Sequence, residues 1–143
     1  MAECKNIMVY VETAEGNPVK VGLEMLSPAK KLADKVTAVV IGGGVADAAK
    51  EVAKAGADQV ICVDSEDYKE FNLDAYAQVL VELVKEENPE AVFVGGTQDG
   101  KDIAPVVAAK CNTGCASDVL DIKAEDGEVI YTCPLMVELY WKM

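Results

Sequence analysis

Residues 91–110 read Ala91-Val-Phe-Val-Gly-Gly-Thr-Gln-Asp-Gly-Lys-Asp-Ile-Ala-Pro-Val-Val-Ala-Ala-Lys110. Ala91 to Val94 is a short apolar run without polar alternation, the pattern of a strand covered on both faces. A glycine-rich loop follows, and then Ile103, Val106 and Val107 fall on one stripe of a helix that starts near Asp99. Strand, small-residue loop, helix is the unit from which parallel sheets are built. The loop could cradle a phosphate: glycines let backbone amides come close, the helix start presents free N–H groups, and Lys101 adds a positive charge. Equally, it could be a tight connection in which Asp99 or Asp102 satisfies the helix start and Lys101 is solvated. The spacing is not that of a Walker sequence.

The same unit recurs upstream. Asn6 to Val11, Val36 to Ile41 and Val60 to Val63 are further unalternating runs rich in Val and Ile. Between them lie helical stripes. Val45, Ala48, Ala49, Val52 and Ala53 make one; Leu73, Tyr76, Ala77, Leu80, Leu83 and Val84 make a longer one, with Asn72 as N-cap and Asn88-Pro89 as stop. A first helix is expected over about Val19 to Asp34, broken at Ser27-Pro28 because proline removes an interior hydrogen bond. Beyond Gly114 the pattern changes. Ala116 to Ile122 and Glu128 to Tyr140 are extended runs joined by Glu125-Asp126-Gly127, a hairpin signal. The expectation is one α/β domain over residues 1–143: a doubly wound, mostly parallel sheet of order 3-2-1-4-5, helices on both faces, and a C-terminal hairpin strand at one edge.

In such sheets ligands sit beyond the carboxyl ends of the strands, where the strand order reverses. Here that crevice lies between the first and fourth strands, facing Glu12–Gly16 and Gly95–Asp102. Gly95, Gly96, Thr97, Gly100 and Lys101 are the candidate nucleotide-binding residues. Gly42-Gly43-Gly44 opens the second helix, and Asp64 stands where a ribose-binding acid would be. But Asp47 fills the position of the last small residue of a dinucleotide fingerprint, so a tight turn is the plainer reading. Glu12 and Glu15 read as solvated loop carboxylates.

Composition narrows the function. With 13 basic and 25 acidic residues the formal charge is −12, which disfavours nucleic acid and anionic membranes as partners. The chain has no histidine, which excludes Ser-His-Asp and Cys-His chemistry and the commonest zinc ligand. No nucleophile–base pair is visible, and no catalytic or metal-binding residues are expected. The cysteines Cys4, Cys62, Cys111, Cys115 and Cys133 form no CxxC pair and read as reduced thiols. No signal peptide precedes the first apolar run and no stretch reaches the length of a membrane span, so a cytoplasmic protein is expected.

Residues 91–110 resemble the alpha subunit of electron transfer flavoproteins, which carries a similar strand, a small-residue loop, Gly-Arg-Asp-Leu-Ala-Pro and an Ala-rich helix. Asn112-Thr113-Gly114 to Asp118 and Asp121 resemble its following Gly-Thr-Gly and Asp-containing strand. Val9-Tyr10-Val11-Glu12, Leu23 to Leu26, Lys31 to Asp34, Val39 to Val45 and Gly56-Ala57-Asp58 match upstream, in order. Lys101 and Val106 depart from the arginines usual in that family, and Met136-Val137 continues an apolar run where a Gly-Gly turn is usual. The resemblance implies a scaffold and subunit-interaction domain of an electron carrier between flavin dehydrogenases and an acceptor, docked on a beta-type subunit. It also implies that FAD is held by a C-terminal domain beyond this chain, so that the chain alone retains no flavin, with AMP left as a candidate ligand. The alternative is a stand-alone adenine-nucleotide-binding protein similar to universal stress proteins. The apolar segment Leu135 to Trp141, read as an open edge strand, leads to the expectation of a homodimer through residues 131–141.

Overall fold

The computed structural model describes residues 4–95, 97–112, 114–116, 121–125, 128–132 and 137–141. Its main sheet has the order β5-β4-β1-β6-β10-β7. β1 (Cys4–Tyr10) lies beside β4 (Ala33–Gly42), which lies beside β5 (Gln59–Asp64); on its other side β1 pairs with β6 (Ala91–Gly95), and all these pairings are parallel. The crossovers are made by α1 (Lys20–Glu24) and α2 (Leu26–Leu32), by α3 (Ala46–Lys54), and by α4 (Leu73–Glu87), while α5 (Gln98–Lys110) follows β6. In strand order this is the expected 3-2-1-4.

The unalternating runs have a simple cause. Along β1, Ile7 and Val9 face the layer of α1, α2 and α3, with Leu26, Ala29, Ala48 and Val52. Met8 and Tyr10 face the layer of α4 and α5, with Leu80, Val84, Ile103 and Val107. Phe93 and Val94 of β6 divide in the same way. Each central strand therefore has apolar partners on both faces, and each fully buried large side chain contributes about 2 kcal/mol.

The helix boundaries follow local chemistry. Asn72 Oδ1 accepts from Ala75 N at 3.1 Å at the start of α4, and Asn88 closes that helix in a left-handed conformation before Pro89. The first helix breaks at Met25, not at Ser27-Pro28. Pro28 sits in the first turn of α2, where a missing N–H is tolerated; its ring would clash with the carbonyl four residues back, so the interruption falls before α2. The expected helix end at Asp34 also shifts, because Ala33 already belongs to β4.

The C-terminal part differs from the expectation. β10 (Val137–Trp141), not the segment after Gly114, takes the fifth place, and it runs antiparallel to β6 with Leu139 opposite Phe93. β7 (Gly114–Ala116) pairs with the far side of β10. A strand as apolar as Val137–Trp141 is suited to an interior position, and a three-residue strand makes a short edge. The hairpin exists, but as a separate two-stranded sheet: β8 (Asp121–Glu125) pairs with β9 (Glu128–Thr132), Glu125 opposite Glu128. Its expected turn, Asp126-Gly127, lies outside the described residues. Because β10 is hydrogen-bonded on both sides, the open edge that motivated a homodimer through residues 131–141 is not there.

Candidate functional site

The strand order reverses between β1 and β6, and their carboxyl ends open into one cleft of 630 Å³. Sequence positions build its walls. Tyr10 and Glu12 come from the end of β1, Gly42 to Gly44 from the end of β4, and Thr97 to Asp99 from the start of α5. Phe71 and Tyr76 close the side toward α4, where their rings meet edge to face with centroids 5.0 Å apart. Tyr76 also packs edge-on against Tyr68 and donates its hydroxyl hydrogen bond to the Tyr68 carbonyl.

After Glu12 the chain makes a small excursion, β2 (Thr13–Ala14) and β3 (Asn17–Pro18), paired antiparallel. Glu15 and Gly16 form its turn with φ of 52° and 82°, the pattern of a two-residue hairpin turn. Val19 N donates to the Glu12 carbonyl at 2.8 Å and closes the base of this excursion. The excursion leans toward the turn after β4: a Cβ on Gly16 would lie 3.8 Å from the Gly44 carbonyl oxygen.

Glu12 is the main departure from the sequence reading. It is 8% exposed, not solvated. Thr97 Oγ1 donates to Glu12 Oε2 at 2.6 Å, and the same Oγ1 accepts from Gly100 N at 3.0 Å. One hydroxyl thus caps α5 and bridges the two strand ends at the switch point. Burial raises the Glu12 pKa above its ordinary value; the Thr97 hydrogen bond opposes this and the neighbouring Asp99 charge adds to it. Tyr10 is pushed up as well, by burial first and then by Glu12, Tyr76 and Asp99. Tyr76 is raised by burial and by Asp99. Burial is the largest cause of all three shifts, and the neighbouring Asp99 charge adds to each.

The structure separates the candidate residues. Thr97 lines the cleft. Gly95 and Gly100 do not; Gly100 lets α5 approach the end of β6, and Gly95 makes room for Val21 of α1. A Cβ on Gly100 would lie 1.9 Å from the Gly95 carbonyl oxygen, and one on Gly95 would lie 2.8 Å from Val21 Cγ1. Lys101 is exposed on the first turn of α5, outside the cleft lining. Gly96 lies outside the described residues. Among the described residues of the expected phosphate cradle, Thr97 lines the cleft, Gly95 and Gly100 sit in close packing contacts, and Lys101 lies outside the lining. The helix start is capped by Thr97 rather than by Asp99 or Asp102.

Gly42 to Gly44 also line the cleft, and Asp64 Oδ1 accepts from Gly44 N at 2.7 Å. Asp64 therefore fixes the turn after β4, in keeping with the tight-turn reading. The sequence reasoning missed Glu12, and it read Tyr76 only as core. The available signal for Glu12 was its place, directly after a fully buried strand and opposite the loop of the fourth strand. Among the described residues no group of three or more His, Cys, Asp or Glu could hold a metal ion, and no helix is long and apolar enough to cross a membrane.

Comparison with known proteins adds an independent finding. Residues 7–137 match the model of the electron transfer flavoprotein domain. The chain is 37% identical over 140 residues to Protein FixB of Clostridium saccharobutylicum, covering 94% of this chain and 42% of that protein. It is 37% identical over 139 residues to the electron transfer flavoprotein subunit alpha of Clostridium acetobutylicum, covering 93% and 41%. A third relative, at 38% over 118 residues, is the acryloyl-CoA reductase electron transfer subunit beta of Anaerotignum propionicum, covering 80% and 32%. The chain spans about two fifths of the length of the first two relatives.

Proposed function

The chain belongs to the electron transfer flavoprotein family, and from that premise we propose that it acts as an alpha-type scaffold and subunit-interaction domain of an electron carrier. The carrying observation is the family match over residues 7–137, almost the whole domain. The carrier takes electrons from flavin dehydrogenases and passes them to an acceptor, and this domain docks on a beta-type subunit. It contributes no catalytic side chain.

The flavin is held outside this domain. In the cleft, the diphosphate of FAD would face Glu12, Glu15 and Asp99, with Lys69 the one cation among the described lining residues. The start of α5, the natural anion site of such a fold, has its Gly100 N–H already taken by Thr97. The cleft residues therefore do not fit the dinucleotide, and the same charge argument weighs against AMP and against the stress-protein-like reading.

The test has two parts. The purified chain should be colourless and show no saturable FAD binding by absorbance or fluorescence titration. Mixed with a beta-type electron transfer flavoprotein subunit, it should form a one-to-one complex in analytical ultracentrifugation. Stoichiometric flavin on the chain alone, or no complex with the beta-type subunit, would contradict this reading.

A further inference from the structure

The cleft holds an arrangement on which the proposed function does not draw. Glu12 is more than nine-tenths buried, yet it lines an open cavity of 630 Å³. One of its oxygens is held by Thr97; among the described residues the other, Oε1, has no hydrogen-bond partner. A carboxylate held at the wall of a cavity offers an acceptor to a ligand that brings N–H donors. Asp99 and Glu15 line the same cavity. Lys69, on the rim over Gly43, forms no ion pair among the described residues and cannot balance three carboxylates. Aromatic side chains make up much of one wall: Tyr10, Phe71 and Tyr76. Carboxylates supply acceptors for several N–H donors, and ring faces attract positive charge.

We propose that this cleft binds an organic cation with N–H donors, a guanidinium or primary ammonium group, with Glu12 and Asp99 as its acceptors and the aromatic wall beside it. A planar guanidinium suits this site best, since it pairs with carboxylates through two N–H groups and stacks on rings. The group could arrive on a free small molecule or on the side chain of a partner protein; the chemistry is the same, and the test separates the two. This inference does not depend on the electron-carrier reading.

Binding should be linked to protons. The titratable groups around Glu12 are Tyr10, Glu15, Lys69, Tyr76 and Asp99. A cation favours ionised Glu12, so affinity should fall as the pH is lowered through the raised Glu12 pKa, by at most about tenfold per pH unit.

The experiment is an amide NMR titration of the 143-residue chain with two probes. Butylguanidinium represents the free molecule, and acetyl-Gly-Arg-Gly-amide represents a protein side chain. The expected result is saturable shifts centred on Glu12, Thr97 and Asp99, with affinity weakened about tenfold in Asp99→Asn and in Glu12→Gln. Saturation by butylguanidinium alone would assign a free ligand, and saturation by the peptide as well would admit a partner's arginine; both uphold the cation site. Non-saturating shifts from both probes would overturn it. So would unchanged affinity in Asp99→Asn, a half-exposed position that should fold whatever the fate of Glu12→Gln. AMP competing at the same amides more tightly than either probe would overturn it too.

Discussion

The two ends of the parallel sheet are built on opposite principles. At the amino ends the charges are paired. Asp58, just before β5, accepts from Val36 N at 2.8 Å and from Lys30 Nζ at 2.7 Å. Lys35 lies 3.6 Å from Glu87, Lys5 N donates to Glu90 at 2.7 Å, and Thr37 bonds to Asn6. The Lys30 bond, and then the Val36 N–H, hold the Asp58 pKa below its ordinary value. At the carboxyl ends Glu12 is buried beside Asp99 and its pKa goes up. Both ends carry carboxylates. The amino end spends its carboxylates on closing the fold, while the carboxyl end leaves them facing a cavity. An unbalanced end is kept where something else is meant to bind.

The sharpest way to break this comparison is backbone packing at the cleft floor. Gly100→Ala places a methyl group 1.9 Å from the Gly95 carbonyl oxygen, and neither backbone can yield cheaply. We expect a loss of about 3 kcal/mol, read as a drop in the midpoint of urea unfolding. A near-neutral Gly100→Ala would mean that α5 is not seated on β6 as described.

Next comes the bridge between the strands. Thr97→Val keeps the size but removes the cap of α5 and the Glu12 partner together. About 2 kcal/mol should be lost at neutral pH, and less in acid, where Glu12 is protonated and needs its partner less. An equal loss at both pH values would separate the cap from Glu12.

At the other end, Asp58→Ala should cost about 1 kcal/mol, mainly the Val36 bond, because solvent screens a pair whose aspartate side chain is 36% exposed. Its pH signature has a defined sign. A lowered folded-state pKa contributes stability that is present above the ordinary aspartate range and lost as pH falls through the folded value. Wild type and Asp58→Ala should therefore converge in acid.

Glu12→Gln is the smallest change and the opposite one. With a raised folded-state pKa, the folded protein binds more protons than the unfolded chain, so Glu12 lowers stability as pH rises from 4.5, its ordinary value, through its folded value. Glutamine keeps the acceptor for Thr97 and removes the charge. Thermal unfolding should show a flatter pH profile for Glu12→Gln across that window, and no loss of stability at neutral pH. A profile matching wild type would show that Glu12 is not held in the environment described.

The parallel half of this fold was legible because two-sided burial leaves a plain mark: Val36 to Ile41 and Ala91 to Val94 do not alternate. Asn72 and Asn88-Pro89 bounded α4 because caps act through neighbouring residues. The place of Val137–Trp141 was not legible, since its insertion between β6 and β7 is decided over long sequence separation. Glycines have the same ambiguity. Gly95 and Gly100 look alike whether they admit a phosphate or a neighbouring protein group, and only the contact distances separate these. Glu12 was misread because a carboxylate after a strand is usually solvated, and its partner Thr97 stands 85 residues away in sequence.

The direct test of the comparison is a carboxyl-carbon NMR titration that follows Glu12 and Asp58 in one sample. The account predicts Glu12 titrating above the ordinary glutamate value of 4.5 and Asp58 below the ordinary aspartate value of 3.8. Glu12 titrating at or below its ordinary value, alongside a depressed Asp58, would contradict it, because both ends of the sheet would then be charge-balanced in the same way.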